Sequence, residues 1–306
     1  MMQTTDLFSI VVSINHLSDA VQQLQDVAKE AGKVDWLKDY LMPIGTLLIS
    51  AVVAYFSAIS GYEWQDRFQV NKLKVDTVNK TIMTFQNMQG TLLSLKANYA
   101  WSLPGDPLQR ACAMPQLIYS YNPVALNYEH LVQVIMSTDE NLHQNPWLHI
   151  ASYISMQDQF NQLNKIIDKR NVIDFQVKDD LAKKYSRKSY SLQEVLEGVD
   201  PISLQKYVEL TEIIINMVDN MIVSTNDFLN NFPQLAKEMM GNNLSKHYKM
   251  INAYKNISDA AKELQKRTTP LNITLTAQLL NISESDVQEK LCDQSYTIQT
   301  RDNSKC

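Results

Sequence analysis

An uncharged run of 22 residues, 41–62, constrains this chain more than any other feature of its sequence. It lies between Asp39 and Glu63 and consists largely of Leu, Ile, Val, Ala and Ser. As a helix it would measure roughly 33 Å, enough to cross a bilayer's hydrocarbon core of about 30 Å. Each Leu, Ile, Val or Phe favours insertion by about 0.3–0.6 kcal/mol, and no charge opposes it. We therefore expect a transmembrane helix over 41–62, in preference to a helix buried in a large soluble core.

The flanks of this run favour a single, uncleaved span. Residues 1–28 contain no Lys or Arg, so we do not expect a cleavable signal peptide, which needs a positive N-terminal region. The next most apolar stretch, 213–223, contains Asp219 and is too short to cross a bilayer. Aromatic residues suited to the two membrane interfaces stand at the ends of the run: Tyr40, Tyr62 and Trp64.

Charges around the span give a small bias in orientation. Three basic residues precede the span and four follow it: Lys29, Lys33 and Lys38, then Arg67, Lys72, Lys74 and Lys80. The first 40 residues also carry six acidic residues, which makes that part easier to translocate. The positive-inside rule therefore favours a cytoplasmic C-terminal region, and we predict a protein of a bacterial inner membrane.

Apolar residues before the span follow alternating steps of three and four positions. This N-terminal seam comprises Leu7, Ile10, Ile14, Leu17, Val21 and Leu24. A period of 3.5 residues places these side chains on one side of a helix within domain 1–40. The helix could pack on its own domain, form a coiled coil with a second chain or with the stalk described next, or lie in the membrane interface. Its polar face lacks the Lys and Arg that bind anionic lipids, so we favour packing or self-association.

The sequence after the span predicts one continuous helix that leaves the bilayer as a stalk over 63–102. Its heptad positions are Phe68, Val75, Val78, Ile82, Phe85 and Leu92, with polar interruptions at Asn71, Gln89 and Lys96. Within the span, small residues recur at four-residue spacing on two adjacent faces: Ser50, Ala54 and Ala58, and Ser57 with Gly61. Such spacing allows close helix–helix approach in lipid, and we call these five residues the predicted packing face.

The rest of the sequence predicts a C-terminal helical bundle over 125–291. Four of the nine prolines fall in 103–124, which we interpret as a connector. We expect residues 292–306, short and polar, to form a disordered tail.

Helix start signals divide this bundle. We expect helices over 126–136 and from Pro146, and a capping box of Ser191 with Glu194. The pair Asp200–Pro201 predicts the start of a long helix to about Asn231, whose apolar centre 213–223 should be buried. We expect Pro233 to start another helix, running to Gln265.

The motifs of the sequence define no catalytic or metal site. Glu140 and His143 have the Glu-x-x-His spacing of di-iron bundles, but the sequence holds no second such pair. Cys112 has no neighbouring His, and no phosphate-binding, dinucleotide or hydrolase motif occurs. The three cysteines are too scattered for a zinc site or a disulfide framework. We expect no metal and no cofactor; an enzyme with a site assembled from scattered helix residues stays open as an alternative.

Residues 276–291 resemble the helix-turn-helix of bacterial DNA-binding proteins. Ala277, Leu280 and Val287 fill the apolar positions, and Asn281 takes the turn position usually filled by Gly. The resemblance implies a membrane-tethered regulator that binds DNA. Phosphates would repel the acidic residues of its second helix: Glu284, Asp286 and Glu289. We therefore prefer a packed helical hairpin and expect no nucleic acid partner.

The overall layout resembles that of many uncharacterised bacterial single-pass membrane proteins. The resemblance is carried by the stalk, Trp64-QDRFQVNKLKVDTVNKTIMTF, and by the helical stretch Phe160-NQLNKIIDKRN. It implies no particular activity. We expect an all-α, membrane-anchored interaction or signalling module in preference to an enzyme, with the lipid bilayer and a second copy of itself as partners.

Overall fold

The computed structural model describes residues 15–16, 18–26, 41–118, 125–136, 145–187, 189–240, 248–252 and 258–292. The regular secondary structure of these residues is entirely helical, which confirms the all-α prediction. The helices are α1 Met42–Ala97, α2 Pro107–Ala113, α3 Tyr128–Ile135, α4 Ile150–Tyr185, α5 Leu192–Gly198, α6 Pro201–Met240, α7 Asp259–Gln265, α8 Ile273–Leu280 and α9 Glu284–Val287. The chain divides into two compact units, Met1–Leu73 and Lys74–Cys306.

Helix α1 runs without interruption through the predicted span and most of the predicted stalk. The residues of the predicted stalk from Lys74 onward belong to the second unit. In this part of α1 every heptad position of the stalk is buried: Val75, Val78, Ile82, Phe85, Gln89, Leu92 and Lys96. The sequence suggested that the polar residues Gln89 and Lys96 interrupt the heptad pattern of the stalk. Both are instead buried and continue the pattern into a core where Lys96 has an acidic partner.

The predicted connector contains a helix, α2, which proline counting alone did not indicate. Asp106 caps its N-terminus, since the carboxylate accepts a hydrogen bond from the Gln109 amide at 2.8 Å. Pro107 occupies the first turn, where its missing N–H group costs little. The same Asp-Pro signal that predicts α6 thus also starts a helix here.

Most of the other predicted helix boundaries agree with the structure. The helix expected over 126–136 is α3, and Pro146 opens a short 3₁₀ turn, Pro146–Leu148, directly before α4. The capping box of Ser191 with Glu194 is present at the start of α5. The Asp200 carboxylate accepts a hydrogen bond from the Ser203 amide at 2.9 Å and so caps α6.

The predicted break at Pro233 is wrong, because Pro233 lies inside α6. An interior proline costs about 3 kcal/mol of helix stability. Here the buried side chains of Phe232, Leu235 and Ala236 keep the helix packed on the core through this position. Burying aliphatic and aromatic side chains gains about 1.5–3 kcal/mol each, which offsets the loss. Of the helix expected beyond α6, residues 241–247 and 253–257 lie outside the described residues, and 259–265 form α7.

The core of the second unit is formed mainly by α1, α4 and α6. An aromatic cluster at its centre consists of Phe85, Trp147, Tyr153, Phe228 and Phe232. The rings of Phe85 and Phe228 stack with centroids 3.8 Å apart, and the Trp147 indole donates a hydrogen bond to Asp227 at 2.7 Å. The centre of α6 is buried as expected, including Ile214, Met217, Val218, Met221 and Ile222.

Helices α8 and α9 form a tight hairpin. Asn281 ends α8 in the left-handed conformation, with φ of 52°. Ser283 and Asp286 then form a capping box at the start of α9. The predicted tail lies outside the described residues from position 293 onward.

Candidate functional site

The apolar part of α1 is exposed in the first unit. Among the described residues α1 is the one helix long and apolar enough to cross a membrane, and its most apolar 18-residue window is 0% buried. The large side chains of this part include Leu47, Leu48, Val52 and Phe56, each more than half exposed. An apolar surface of this extent is unusual for a protein surrounded by water.

The predicted packing face lies on this exposed part of α1. All five of its residues are exposed: Ser50, Ala54, Ser57, Ala58 and Gly61. A Cβ atom added to Gly61 would meet no atom within 4 Å, so no neighbour in the described structure requires a glycine there. The face is thus open to contact from lipid or from another helix.

The structure describes only part of the N-terminal seam. Leu7, Ile10, Ile14 and Leu17 lie outside the described residues. Residues 18–26 are helical, as predicted; Val21 is half-buried and Leu24 is 58% exposed. These observations place the last two residues of the seam, Val21 and Leu24, on a helix, and the partner of the seam stays a prediction.

Two buried ion pairs connect helices of the second unit. Lys96 Nζ on α1 lies 2.6 Å from Asp219 Oδ1 on α6, and Arg110 Nε on α2 lies 2.9 Å from Glu212 Oε1 on α6. All four side chains are almost completely buried. Glu212 and Asp219 stand seven residues apart on α6, so they face the same side of that helix. The two pairs together fix the register of three helices.

The chain segment between α7 and α8 closes over these ion pairs. The Lys96 ammonium donates to the Lys266 carbonyl oxygen, and the Arg110 guanidinium donates to the Thr269 carbonyl oxygen at 2.9 Å. Asp219 accepts from the Thr268 amide at 2.7 Å and from its hydroxyl at 3.2 Å. The charged side chains therefore bind main-chain atoms of residues 266–269.

Burial shifts the proton affinities of this cluster. It raises the pKa of Glu212 to about 7, although the neighbouring Arg110 charge and hydrogen bond oppose the shift. Burial, reinforced by the Asp219 charge, raises the pKa of Tyr99 well above its ordinary value. The Tyr99 hydroxyl is buried without a hydrogen-bond partner in the described structure. The cluster can thus take up a proton near neutral pH at Glu212.

A third buried basic side chain, Arg170, attaches α2 to the bundle. Its guanidinium donates to the carbonyl oxygens of Pro115, Ala111 and Met114 at 2.9, 2.8 and 2.6 Å, at the C-terminal end of α2. A cation at a helix C-terminus is favourable because the free carbonyl oxygens there carry partial negative charge. The Tyr207 hydroxyl donates a hydrogen bond to the carboxylate of Asp174, which lies one helical turn from Arg170.

The pairing of these buried charges was not predicted, although the sequence contained a signal for two of them. Lys96 stands in an apolar seam and Asp219 in an apolar helix centre, and buried charges of opposite sign are almost always paired. That rule could have matched the two residues. Arg170 and Asp174 stand four residues apart on one helix, a spacing that also suggests an ion pair. The carbonyl oxygens that Arg170 binds give no such signal, because every sequence contains them.

The expectation of no metal stays a prediction. No group of three or more His, Cys, Asp or Glu side chains suited to a metal ion occurs among the described residues. Glu140 and His143 lie outside those residues, and Cys112 is an exposed free thiol.

The helix-turn-helix-like hairpin has the predicted turn but a very short second helix. Helix α9 has only four residues and continues as a π-helical turn, Gln288–Cys292. Ala277, Val287 and Leu291 form its small apolar core. Glu284 and Glu289 are exposed on it, so its outer surface is acidic, which disfavours contact with a phosphate backbone.

No protein-family model, curated protein or solved structure matches this chain. The similarity of layout to uncharacterised bacterial membrane proteins therefore stays a prediction.

Proposed function

We propose that this chain is a membrane-anchored helical module, with residues 42–62 of α1 crossing the bilayer and the second unit acting as an interaction or signalling domain. The exposed apolar surface of α1 carries this proposal. Water would have to cover the side chains of Leu47, Leu48, Val52 and Phe56 if the chain were soluble. A hydrocarbon core covers them favourably, at about 0.3–0.6 kcal/mol for each such residue.

Self-association through the predicted packing face is the second part of the proposal. Small residues at four-residue spacing let two helix backbones approach closely in lipid, where van der Waals packing drives association. The open surroundings of Gly61 support this, since nothing described in the chain fills the space.

Paired arginine substitutions test the anchor. We expect Leu48→Arg with Val52→Arg to prevent insertion of the full-length chain, because each Arg at the centre of a span costs about 2.5–3.5 kcal/mol. The matched control is Gln65→Arg with Gln69→Arg, which has the same four-residue spacing outside the run. The control should stay in the membrane fraction. Membrane retention of the Leu48 and Val52 variant would contradict the proposal.

Cross-linking in membranes tests self-association separately. Ala54→Leu with Ala58→Leu places bulk on the packing face and should reduce the cross-linked dimer at least severalfold. Val52→Leu with Phe56→Leu changes exposed positions off that face and should leave the dimer unchanged. A dimer yield equal in both variants would contradict association through this face while leaving the anchor intact.

A further inference from the structure

The C-terminal segment 258–292 has few fully buried side chains and is joined to the bundle by several polar bonds, while its partly buried Leu264, Leu279 and Leu280 pack against the bundle core. Helix α7 has no buried residue. In the rest of the segment the buried side chains are Thr276, Ala277, Val287 and Leu291. Helix α6, by contrast, has buried residues from Leu204 to Ala236. Elements with few buried apolar contacts open at a lower free energy than the core on which they lie.

Hydrogen bonds from the bundle reach the segment at several points along its length. The most buried are the bonds that Lys96, Asp219 and Arg110 make to the main chain of 266–269. Further bonds join Arg267 to Asn220 at 2.7 Å, Asn216 to the Leu291 carbonyl oxygen at 2.9 Å, and Gln205 to the Leu279 carbonyl oxygen at 3.4 Å. Each such bond contributes a net of about 0.5–1.5 kcal/mol.

The buried charges keep their ionic partners when this segment is absent. Lys96 and Asp219 lie on α1 and α6, and Arg110 and Glu212 lie on α2 and α6, so neither pair needs residues 258–292. Stripping a buried charge of its counter-charge would cost several kcal/mol. Release of the segment avoids that penalty, because these charges lose only uncharged main-chain groups and the Thr268 hydroxyl, which water can replace.

We propose that residues 258–292 form a latch, which leaves the bundle as one unit while α1, α2 and α6 stay folded. Release uncovers a groove lined by Lys96, Arg110, Glu212 and Asp219. The groups that bind the latch recognise main-chain oxygen and N–H groups, together with the Thr268 hydroxyl. The latch thus acts as a conformational device that controls whether the second unit presents an ion-paired, hydrated surface or a closed one.

Hydrogen exchange of the full-length protein in lipid nanodiscs tests the latch. The latch variant is Arg267→Met with Thr268→Val, which removes two side-chain bonds and alters no residue of the bundle. The matched control is Lys262→Met with Thr274→Val, which makes the same kinds of change at exposed positions of the same segment. We expect amide exchange across 258–292 to accelerate at least tenfold in the latch variant only, with exchange across 201–240 unchanged.

The second readout is the acylation of Lys96 by an amine-reactive ester, which is measured by mass spectrometry. Because Lys96 is 2% exposed, its reaction requires the groove to open. The latch variant should acylate Lys96 faster by the same factor as its exchange accelerates. Loss of protection in 201–240 together with 258–292 would overturn the proposal, since the two would then be one cooperative unit. Faster exchange without faster Lys96 acylation, or no change in either, would overturn it as well.

Discussion

Lys96 and Asp219 form a buried ion pair across 123 positions of sequence, with the ammonium nitrogen 2.6 Å from a carboxylate oxygen. The pair joins the end of α1 to the middle of α6. The pair shows that the second half of α1 belongs to the core of the second unit. The same helix that carries the exposed apolar run in its first half therefore supplies a buried face in its second half.

Removing one partner of this pair should be far more damaging than replacing both. We expect Asp219→Ala to lower the free energy of unfolding by about 3–5 kcal/mol, because Lys96 would remain buried and uncompensated. Lys96→Met combined with Asp219→Leu should recover most of that loss. Chemical denaturation of the full-length protein, followed by the fluorescence of the buried Trp147, measures both.

The exposed pair Arg67–Glu63 provides the control for this comparison. Its side chains are 75% and 63% exposed, so Glu63→Ala should change stability by less than about 1 kcal/mol. Equal losses for Glu63→Ala and Asp219→Ala would contradict the assignment of Lys96–Asp219 to the core.

Glu212 should make the stability of the second unit depend on pH near neutrality. Its folded-state pKa of about 7 lies above the ordinary value of 4.5, so the folded protein binds the proton more tightly. The stabilising contribution is complete below pH 4.5 and is lost as pH rises through 7. Since one pKa unit corresponds to about 1.4 kcal/mol, the loss amounts to about 3 kcal/mol.

Glu212→Gln tests this pH dependence, because glutamine keeps an oxygen that can accept from Arg110 but does not titrate. We expect the difference in unfolding free energy between the two proteins to change with pH between 4.5 and 7 and to level off above that range. A difference that stays constant from pH 4.5 to 8 would contradict a raised pKa at Glu212.

Arg170 should be irreplaceable by lysine. Its guanidinium donates to the carbonyl oxygens of Ala111, Met114 and Pro115 together, a geometry that a single ammonium cannot reproduce. We expect Arg170→Lys to lower the free energy of unfolding by about 2–4 kcal/mol and to speed amide exchange in α2. The neighbouring exposed Lys169→Met is the control and should be nearly neutral; an equally small effect of Arg170→Lys would exclude this anchoring role.

The C-terminal region should face the cytoplasm if the basic residues after the span set its orientation. In a Cys112→Ser background the remaining cysteines, Cys292 and Cys306, both stand in the C-terminal region of the sequence. A membrane-impermeant maleimide should label the protein in lysed bacterial cells and leave it unlabelled in intact ones. Labelling in intact cells would reverse the orientation without affecting the existence of the span.

The comparison of sequence and structure shows which signals act locally. Asp200 and Ser191 predict the starts of α6 and α5, because a cap depends on residues within one turn. Pro233 was misleading, since its effect depends on how Phe232 and Leu235 pack against residues far away in the chain. The bonds from Arg110 to the Thr269 carbonyl oxygen and from Arg170 to the carbonyl oxygens at the end of α2 could not be predicted, because main-chain oxygens leave no mark in a sequence.

Extraction of membranes with alkaline carbonate tests the central claim most directly, because it releases peripheral proteins and leaves spanning helices in the bilayer. We predict that the full-length protein stays in the pellet after extraction and high-speed centrifugation, and enters solution only with detergent. Recovery of the protein in the detergent-free supernatant would contradict the assignment of residues 42–62 to the bilayer and, with it, the proposed function.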